Sequence, residues 1–395
     1  GSTPEGKKRV VANTNEILNR IVKDSGAAGS VIQKIQVTES VFQKISDTVL
    51  DQARKKLAGK KSRFQMIPSR IQLPDNIENL VGQKALYIDI GGSHVYFGVS
   101  EIVKGEDGPI QVRVPVSDEY ILTDNEIQNT DGTQKFKNIL DRVASFIKKN
   151  SIDTRLIGVT FSFPHKDGKI LPKANGAKKF NWKGVIGKKI QKIVEQGLQK
   201  RGIKGAEVAA VVNDTEASLV LGWTENQDIR VGVINGTGMN HALLIHGKIY
   251  NVESAAAELP AEIMTEFDRQ FYSRGVEDII AGKNLGEIAR RVLLQDIQDG
   301  ILFSGKITAR GQKTFNFPQD DDDKEKGLDS KYVSKIAGAA TLDQVRDLLR
   351  ELGVDNASDE DADTAQRLFR AFLERSSQVS AAMIDGFSRV EGLSS

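Results

Sequence analysis

Apolar residues follow two rhythms along this chain. In TESVFQKISDTVLDQARKKL (38–57) they recur at three and four after a starting Thr38, the spacing of an amphipathic helix, and residues 10–25 carry similar spacing. LYIDIGGSHVYFGV (86–99) is instead β-branched and aromatic on both sides of a break, which predicts a hairpin with Gly91 and Gly92 at its tip. A strand at 110–116, a helix at about 135–149 (KFKNILDRVASFIKK) and a buried strand at 156–163 (LIGVTFSF) follow.

After a loop at 164–184, the helix GKKIQKIVEQGLQKRG leads into EVAAVVNDTEASLVLGW, a strand that stops at Asn213 and becomes a helix. VGVINGTGMNHALLIHGKIYNVES (231–254) reads as strand, glycine turn and strand, and from 260 onward the pattern is largely helical. The two glycine hairpins share one plan, so a duplicated α/β unit with a turn for phosphate in each half accounts for both. RFQMIPSRIQLPDN (63–76) is a Pro-punctuated connector, taken as a domain crossing, and QDDDDKEKG (319–327) reads as an exposed loop.

Length and composition narrow the classes. The 395 residues suggest two or three domains, and 39% apolar residues with 16 Phe supply a core. A net charge of +2 gives no basis for nucleic-acid binding, and the excess of Lys and Arg in residues 1–63 reads as a solvated helical surface. Cysteine is absent and His occurs four times, which removes disulfides, thiolate metal sites and multi-His sites. No apolar run reaches the ~20 residues of a membrane span, and no signal-peptide core is evident, so a cytoplasmic protein is expected.

Carboxylates, hydroxyls, amides and Lys therefore carry the chemistry. Glycines at a hairpin tip let backbone N–H groups approach phosphate, Ser93 adds a hydroxyl and Asp89 can hold a metal-bound water; an ordinary turn fits the same residues. The strand-to-helix switch puts Asn213 and Asp214 at a strand's C-terminal end, where α/β sheets bind ligands, although an Asp there also serves as a helix cap. A hydroxyl attacking phosphorus needs a proton acceptor, a role open to Asp214. Thr237 and Gly238 of GTGMN can donate to phosphate or simply form a tight turn, and Glu277 also reads as an exposed helical Glu.

IDIGGS, VTFSFP, AAVVNDTEAS, GTGMN and TEFDR occur in the order and spacing of the eukaryotic-type hexokinases, and the chain resembles that family from about Met66 to Val390. The resemblance implies an α/β, two-lobed actin-like ATPase (ribonuclease H-like) fold, with a helical part of the large lobe at 1–75, the small lobe at 76–212 and the large lobe at 213–395. It implies ATP-dependent transfer of the γ-phosphoryl group to the 6-hydroxyl of glucose or a related hexose, with Asp214 as base. Ser162, Lys178, Asn213, Asn240, Glu253 and Glu277 match the family's sugar ligands. Asp89, Gly91, Gly92, Ser93, Gly236, Thr237 and Gly238 match its ATP-phosphate turns, with Asp89 reaching Mg2+ through water.

The chain departs from that pattern at Tyr96, where the family carries an Arg, at Ala177 and Met239, where it carries Thr, and at Ser254, where it carries Trp. An altered sugar pocket is expected. RLFRAFLERSSQVSAAMIDGFSRVEGLSS matches the helix before the family's second phosphate hairpin, and the adenosine-side segment does not follow, so weaker nucleotide binding is expected. The competing reading is a catalytically impaired relative that binds sugar as a sensor or regulator.

Overall fold

A computed structural model describes residues 26–105, 108, 110–175, 180–273, 275–318 and 327–393. The expected helix over 10–25, Lys178 and nearly all of the acidic run lie outside the described residues. Along the chain run helices α1 (Ala27–Lys34) and α2 (Glu39–Leu57), then strands β1 (Lys84–Ile90), β2 (His94–Lys104) and β3 (Ile110–Ile121). Helix α3 (Gly132–Lys149), strand β4 (Leu156–Phe161), helix α4 (Ile190–Gln199), strand β5 (Glu207–Val212) and helix α5 (Asp214–Glu225) follow. Next come β6 (Val231–Asn235), β7 (Met239–Ile245) and β8 (Lys248–Asn251). The helices α6 (Gly282–Gln298), α7 (Ala309–Asn316), α8 (Lys331–Gly338), α9 (Leu342–Glu351) and α10 (Asp359–Ser388) complete the order.

These elements form two compact units. The described part of the first, the sheet unit, comprises residues 65–234, 240–253 and 390–393; that of the second, the helical unit, comprises 26–64, 235–239 and 254–389. The divisions differ from the lobe boundaries expected at 75 and 212. Ile67–Pro68 pairs antiparallel with β8 and α5 packs on β3 and β8, so the connector and the segment after Asn213 belong with the sheet unit.

In the sheet unit the main sheet runs β3-β2-β1-β4-β5, antiparallel from β3 to β1 and parallel from β1 to β5. Helix α3 lays Phe136, Ile139, Leu140, Val143 and Ile147 into its core at helical spacing. It begins earlier than its apolar rhythm suggests because the Asp131 side chain accepts the Gln134 N–H at 2.9 Å and caps the first turn. The 110–116 strand extends to Ile121 because β2 supplies partners as far as His94.

The second glycine segment holds three strands rather than two. His246 (φ +48°) and Gly247 (φ +72°) make a second reversal of the kind that suits a two-residue hairpin. The resulting β6-β7-β8 meander echoes β1-β2-β3, consistent with the duplication read from sequence.

The helical unit packs α1, α6, α8, α9 and α10 around Leu285, Val292, Phe369 and Phe372. Helix α10 starts with a reciprocal cap between Ser358 and Asp361 and runs 30 residues. Helix α2, capped by Thr38 as expected, approaches α10 closely where a Cβ on Gly386 would lie 2.4 Å from the Ser46 carbonyl oxygen. Among the described residues no helix is long and apolar enough to cross a membrane.

Candidate active site

The register of the main sheet aligns Asp89 on β1 with Thr160 on β4, and Thr160 with Val212 on β5. The Gly91–Ser93 turn, Ser162 and Asn213–Asp214 therefore follow their strands at the same edge, the carboxyl ends where open α/β sheets take ligands. The sequence Asn-Asp-Thr-Glu dictates the local geometry. The Asn213 side chain accepts the Thr215 N–H at 3.1 Å, and the Asn213 N–H donates to Glu216 Oε2 at 2.8 Å, a closed capping box. Asp214 then occupies the first position of α5, and its Oδ1 accepts the Thr215 N–H at 2.9 Å. Burial pushes the Glu216 carboxyl above the usual range, and the charges of Asp214 and Glu253 act the same way against the pull of Ser69 and the Asn213 N–H. Burial pushes the His165 imidazole down, against the Asp167 and Asp214 carboxylates.

From this cap a chain of amides runs to Glu253. Asn240 donates through Nδ2 to Asn251 Oδ1 at 2.7 Å and to Asn213 Oδ1 at 3.4 Å. Asn251 Nδ2 donates to Glu253 Oε1 at 3.0 Å. Glu253 holds a left-handed backbone (φ +55°), a conformation that a side-chain-bearing residue keeps only when its surroundings fix it. Donors and acceptors on rigid elements, ending in two carboxylates, suit a ligand dense in hydroxyl groups.

In the helical unit, the turn Gly236–Gly238 closes with a Gly236 N–H to Gly238 carbonyl bond at 2.9 Å, and Gly282 at the start of α6 donates to the Gly236 carbonyl at 2.7 Å. Thr237 is exposed at the tip and the flank of Gly236 is open, room for a phosphate to lie against the backbone. The Met239 N–H donates to Glu277 Oε2 at 3.0 Å, and Lys283 Nζ meets Glu277 Oε1 at 2.7 Å and Asp278 at 3.1 Å. Glu277 is thus largely shielded, not an exposed helical residue.

The first turn is more closed upon itself. The Gly91 N–H donates to the His94 carbonyl at 3.0 Å, Ser93 Oγ bonds His94 Nδ1 at 2.8 Å, and Tyr96 stacks on the His94 ring with centroids 5.7 Å apart. Asp89 supplies a carboxylate beside this turn. Among the described residues no three His, Cys, Asp or Glu side chains converge as a metal site.

The structure thus brings Asn213, Asn240 and Glu253 into one network, and Glu277, Gly236, Thr237 and Gly238 into another. Asp89, Gly91, Gly92, Ser93, Ser162 and Asp214 share the sheet edge. Sequence reading missed Glu216, Asn251 and Lys283. The Asn-x-x-Glu spacing flags Glu216 as a cap partner, and Lys283 stands six residues beyond Glu277; Asn251 carries no local signal, because its partners come from β7 and the turn after β8.

Two family models described as hexokinase match residues 27–223 and 230–392. This chain belongs to the hexokinase family. Hexokinase-1 of Rattus norvegicus is 30% identical over 272 residues, 62% of this chain and 29% of its own. Hexokinase-1 of Homo sapiens is 28% identical over 349 residues, 81% of this chain and 36% of its own. The hexokinase-family chain spans about a third of the length of these curated relatives. A solved hexokinase from Schistosoma mansoni, complexed with glucose, superposes with a TM-score of 0.72 at 22% identity, covering 93% of this chain and 85% of that one. A second hexokinase crystal structure gives 0.63 at 20% identity, covering 91% and 84%. The fold is the actin-like ATPase fold of hexokinase type.

Proposed function

We propose that this protein is an ATP-dependent hexose kinase that transfers the γ-phosphoryl group to the 6-hydroxyl of glucose or a related hexose in the cytoplasm. The observation that carries the reading is the hydrogen-bonded row Asn213–Asn240–Asn251–Glu253 beside Asp214, a set of amide and carboxylate groups matched to sugar hydroxyls. The glucose held by the Schistosoma mansoni relative supports the same substrate class. In this reading Asp214 accepts the proton of the attacking hydroxyl. Ser162, Lys178, Asn213, Asn240, Glu253 and Glu277 orient the sugar. Gly91, Gly92, Ser93, Gly236, Thr237 and Gly238 would receive the phosphates, and Asp89 would hold the accompanying Mg2+ through water. The metal neutralises charge on the transferred phosphoryl group when bound.

A second reading, a sugar-binding relative with impaired turnover, is favoured by Tyr96. It stacks on His94 beside the first phosphate turn and brings no cation to it. The deciding experiment couples ADP release to a colour change with glucose, fructose and mannose, beside thermal melts with each sugar and with ATP·Mg2+. The kinase reading expects turnover that falls at least ~100-fold in Asp214→Asn while glucose still raises the melting temperature. Undiminished turnover in that variant removes the role given to Asp214. Sugar-dependent stabilisation without any turnover in the parent chain favours the second reading.

A further inference from the structure

The contacts around Glu277 identify a residue that the sugar-ligand reading omits. Both oxygens of the carboxylate are held within the helical unit: Oε2 by the Met239 N–H at 3.0 Å and Oε1 by Lys283 Nζ at 2.7 Å. The same ammonium reaches Asp278 at 3.1 Å, so one cation serves two adjacent carboxylates. Lys283 is also tied through its backbone, its N–H donating to the Thr237 carbonyl at 3.2 Å beside the Gly282 N–H to Gly236 carbonyl bond. The Gly236–Gly238 turn, Glu277 and the first turn of α6 are therefore joined in a closed ring, with Lys283 as the member that touches both other parts. The ring leaves no space for a side chain on Gly238, whose Cβ would lie 2.9 Å from Glu277 Oε2.

We propose that Lys283 is a positioning residue for hexose binding: it holds Glu277 aimed against the Gly236–Gly238 turn, so that the carboxylate meets the sugar without first having to be ordered. The inference rests on the sugar-kinase reading for the identity of the ligand, but the ring itself is independent of it. Three features point to Lys283 rather than to general packing. Its side chain is only about a quarter exposed and those of Glu277 and Asp278 less so, which makes the charge contacts count for more than surface pairs do. An unneutralised pair of neighbouring carboxylates would repel, and Glu277 is the one free to swing away, because Asp278 also accepts the Ser273 N–H and hydroxyl at 3.1 Å. The bond from Met239 anchors one Glu277 oxygen to the backbone of the turn, so displacement of Glu277 disturbs the turn as well.

The test uses the full chain with the variants Lys283→Met, Lys283→Arg and Glu277→Gln, and three readings. Glucose affinity by calorimetry is expected to fall roughly 10- to 100-fold in Lys283→Met, the size of a lost hydrogen bond to a charged group, and to recover to within about threefold of the parent in Lys283→Arg. Turnover is expected to show the loss mainly in the hexose KM, with kcat and the ATP KM changed about threefold or less. Amide hydrogen exchange, read without any ligand, is expected to accelerate at Met239 by at least about tenfold in Lys283→Met while the later turns of α6 keep their protection. Unchanged glucose affinity and unchanged Met239 exchange in Lys283→Met overturn the inference. So does a uniform loss of protection across the helical unit, which marks a structural residue. Faster exchange at Met239 together with unaltered glucose binding in Glu277→Gln keeps the ring and removes the sugar role of Glu277, which separates a failure of the inference's geometry from a failure of the kinase reading.

Discussion

Replacing Arg375 by Met keeps roughly the volume of a fully buried side chain and deletes its charge. The guanidinium donates to the two oxygens of Asp268 at 2.8 and 3.0 Å, reaches the carbonyls of Ile263 and Ile279 at 3.3 and 3.4 Å, and lies 5.4 Å from the centre of the Phe372 ring. Both side chains of the pair are wholly shielded from solvent. Removing one partner of such a pair costs about 3–5 kcal/mol, because the other charge stays buried without compensation. Asp268 retains the N–H and hydroxyl of Thr265, each at 2.8 Å, which moves the expectation toward the lower end, about 3 kcal/mol. For a unit of this size that is a fall of roughly 6–12 °C in the transition of the helical unit, read by scanning calorimetry of the full chain. The reasoning makes a sharper demand of the double variant Arg375→Met/Asp268→Leu. With the stranded carboxylate also gone, it should recover at least about half of the lost stability despite losing the bonds that the Thr265 N–H and hydroxyl give to Asp268, the return half of the capping box, worth about 1 kcal/mol. A single variant that melts within about 2 °C of the parent, or a double variant less stable than the single, refutes the account.

Lys135 is buried among Phe180 and Trp182, donates to the Thr130 and Asn181 carbonyls, and is pushed by burial to a pKa of about 8. The folded state thus gives up this proton before the unfolded chain does, so stability is expected to rise between about pH 8 and pH 10.5, by roughly 1–2 kcal/mol, and that rise should be absent from the urea midpoints of Lys135→Met. Glu216 titrates in the opposite sense, its carboxyl raised when folded, so the charged form costs stability above its folded pKa. Glu216→Gln, which keeps an acceptor for the Asn213 N–H, should gain on the parent in denaturant midpoint at pH 8 and lose that advantage near pH 4; an equal difference at both values contradicts this. Gly238→Ala forces a Cβ to within 2.9 Å of Glu277 Oε2, and is expected to weaken glucose binding at least roughly tenfold in titration calorimetry with a melting temperature changed by only a few degrees.

The helices and strands whose pattern repeats locally were legible because burial on one face imposes that pattern: α3 follows its apolar stripe, and the switch at Asn213 falls where Asn-Asp-Thr-Glu replaces a β-branched run. The β7–β8 reversal was hidden because a His precedes the glycine, and only the positive φ of His246 reveals the turn. The site divided in the same way. Asp214 and Asn213 announce themselves by their place after a strand, whereas Asn251 and Lys283 gain meaning from partners that folding brings to them. Unit membership was the least legible property, because Ile67–Pro68 joins the sheet unit by pairing with residues about 180 positions later.

The division of the chain also sets an order in time. Residues 26–64 belong to the helical unit, whose next long stretch begins only at residue 254, about 190 residues later. At about 5–20 residues per second a ribosome takes roughly 10–40 s to reach that stretch, and roughly 15–60 s to pass from the end of α2 to the start of α10 about 300 residues later. Throughout that interval α2 is present with Val41, Ile45, Val49 and Leu50 and without α10, the helix that covers them in the finished protein. The main sheet of the other unit, whose five strands lie between residues 84 and 212, is complete long before. An early helix left waiting with its apolar face uncovered is a point of dependence on chaperones during synthesis. Limited proteolysis of nascent chains stalled at successive lengths should find the main sheet protected first and residues 39–57 protected only after α10 has emerged.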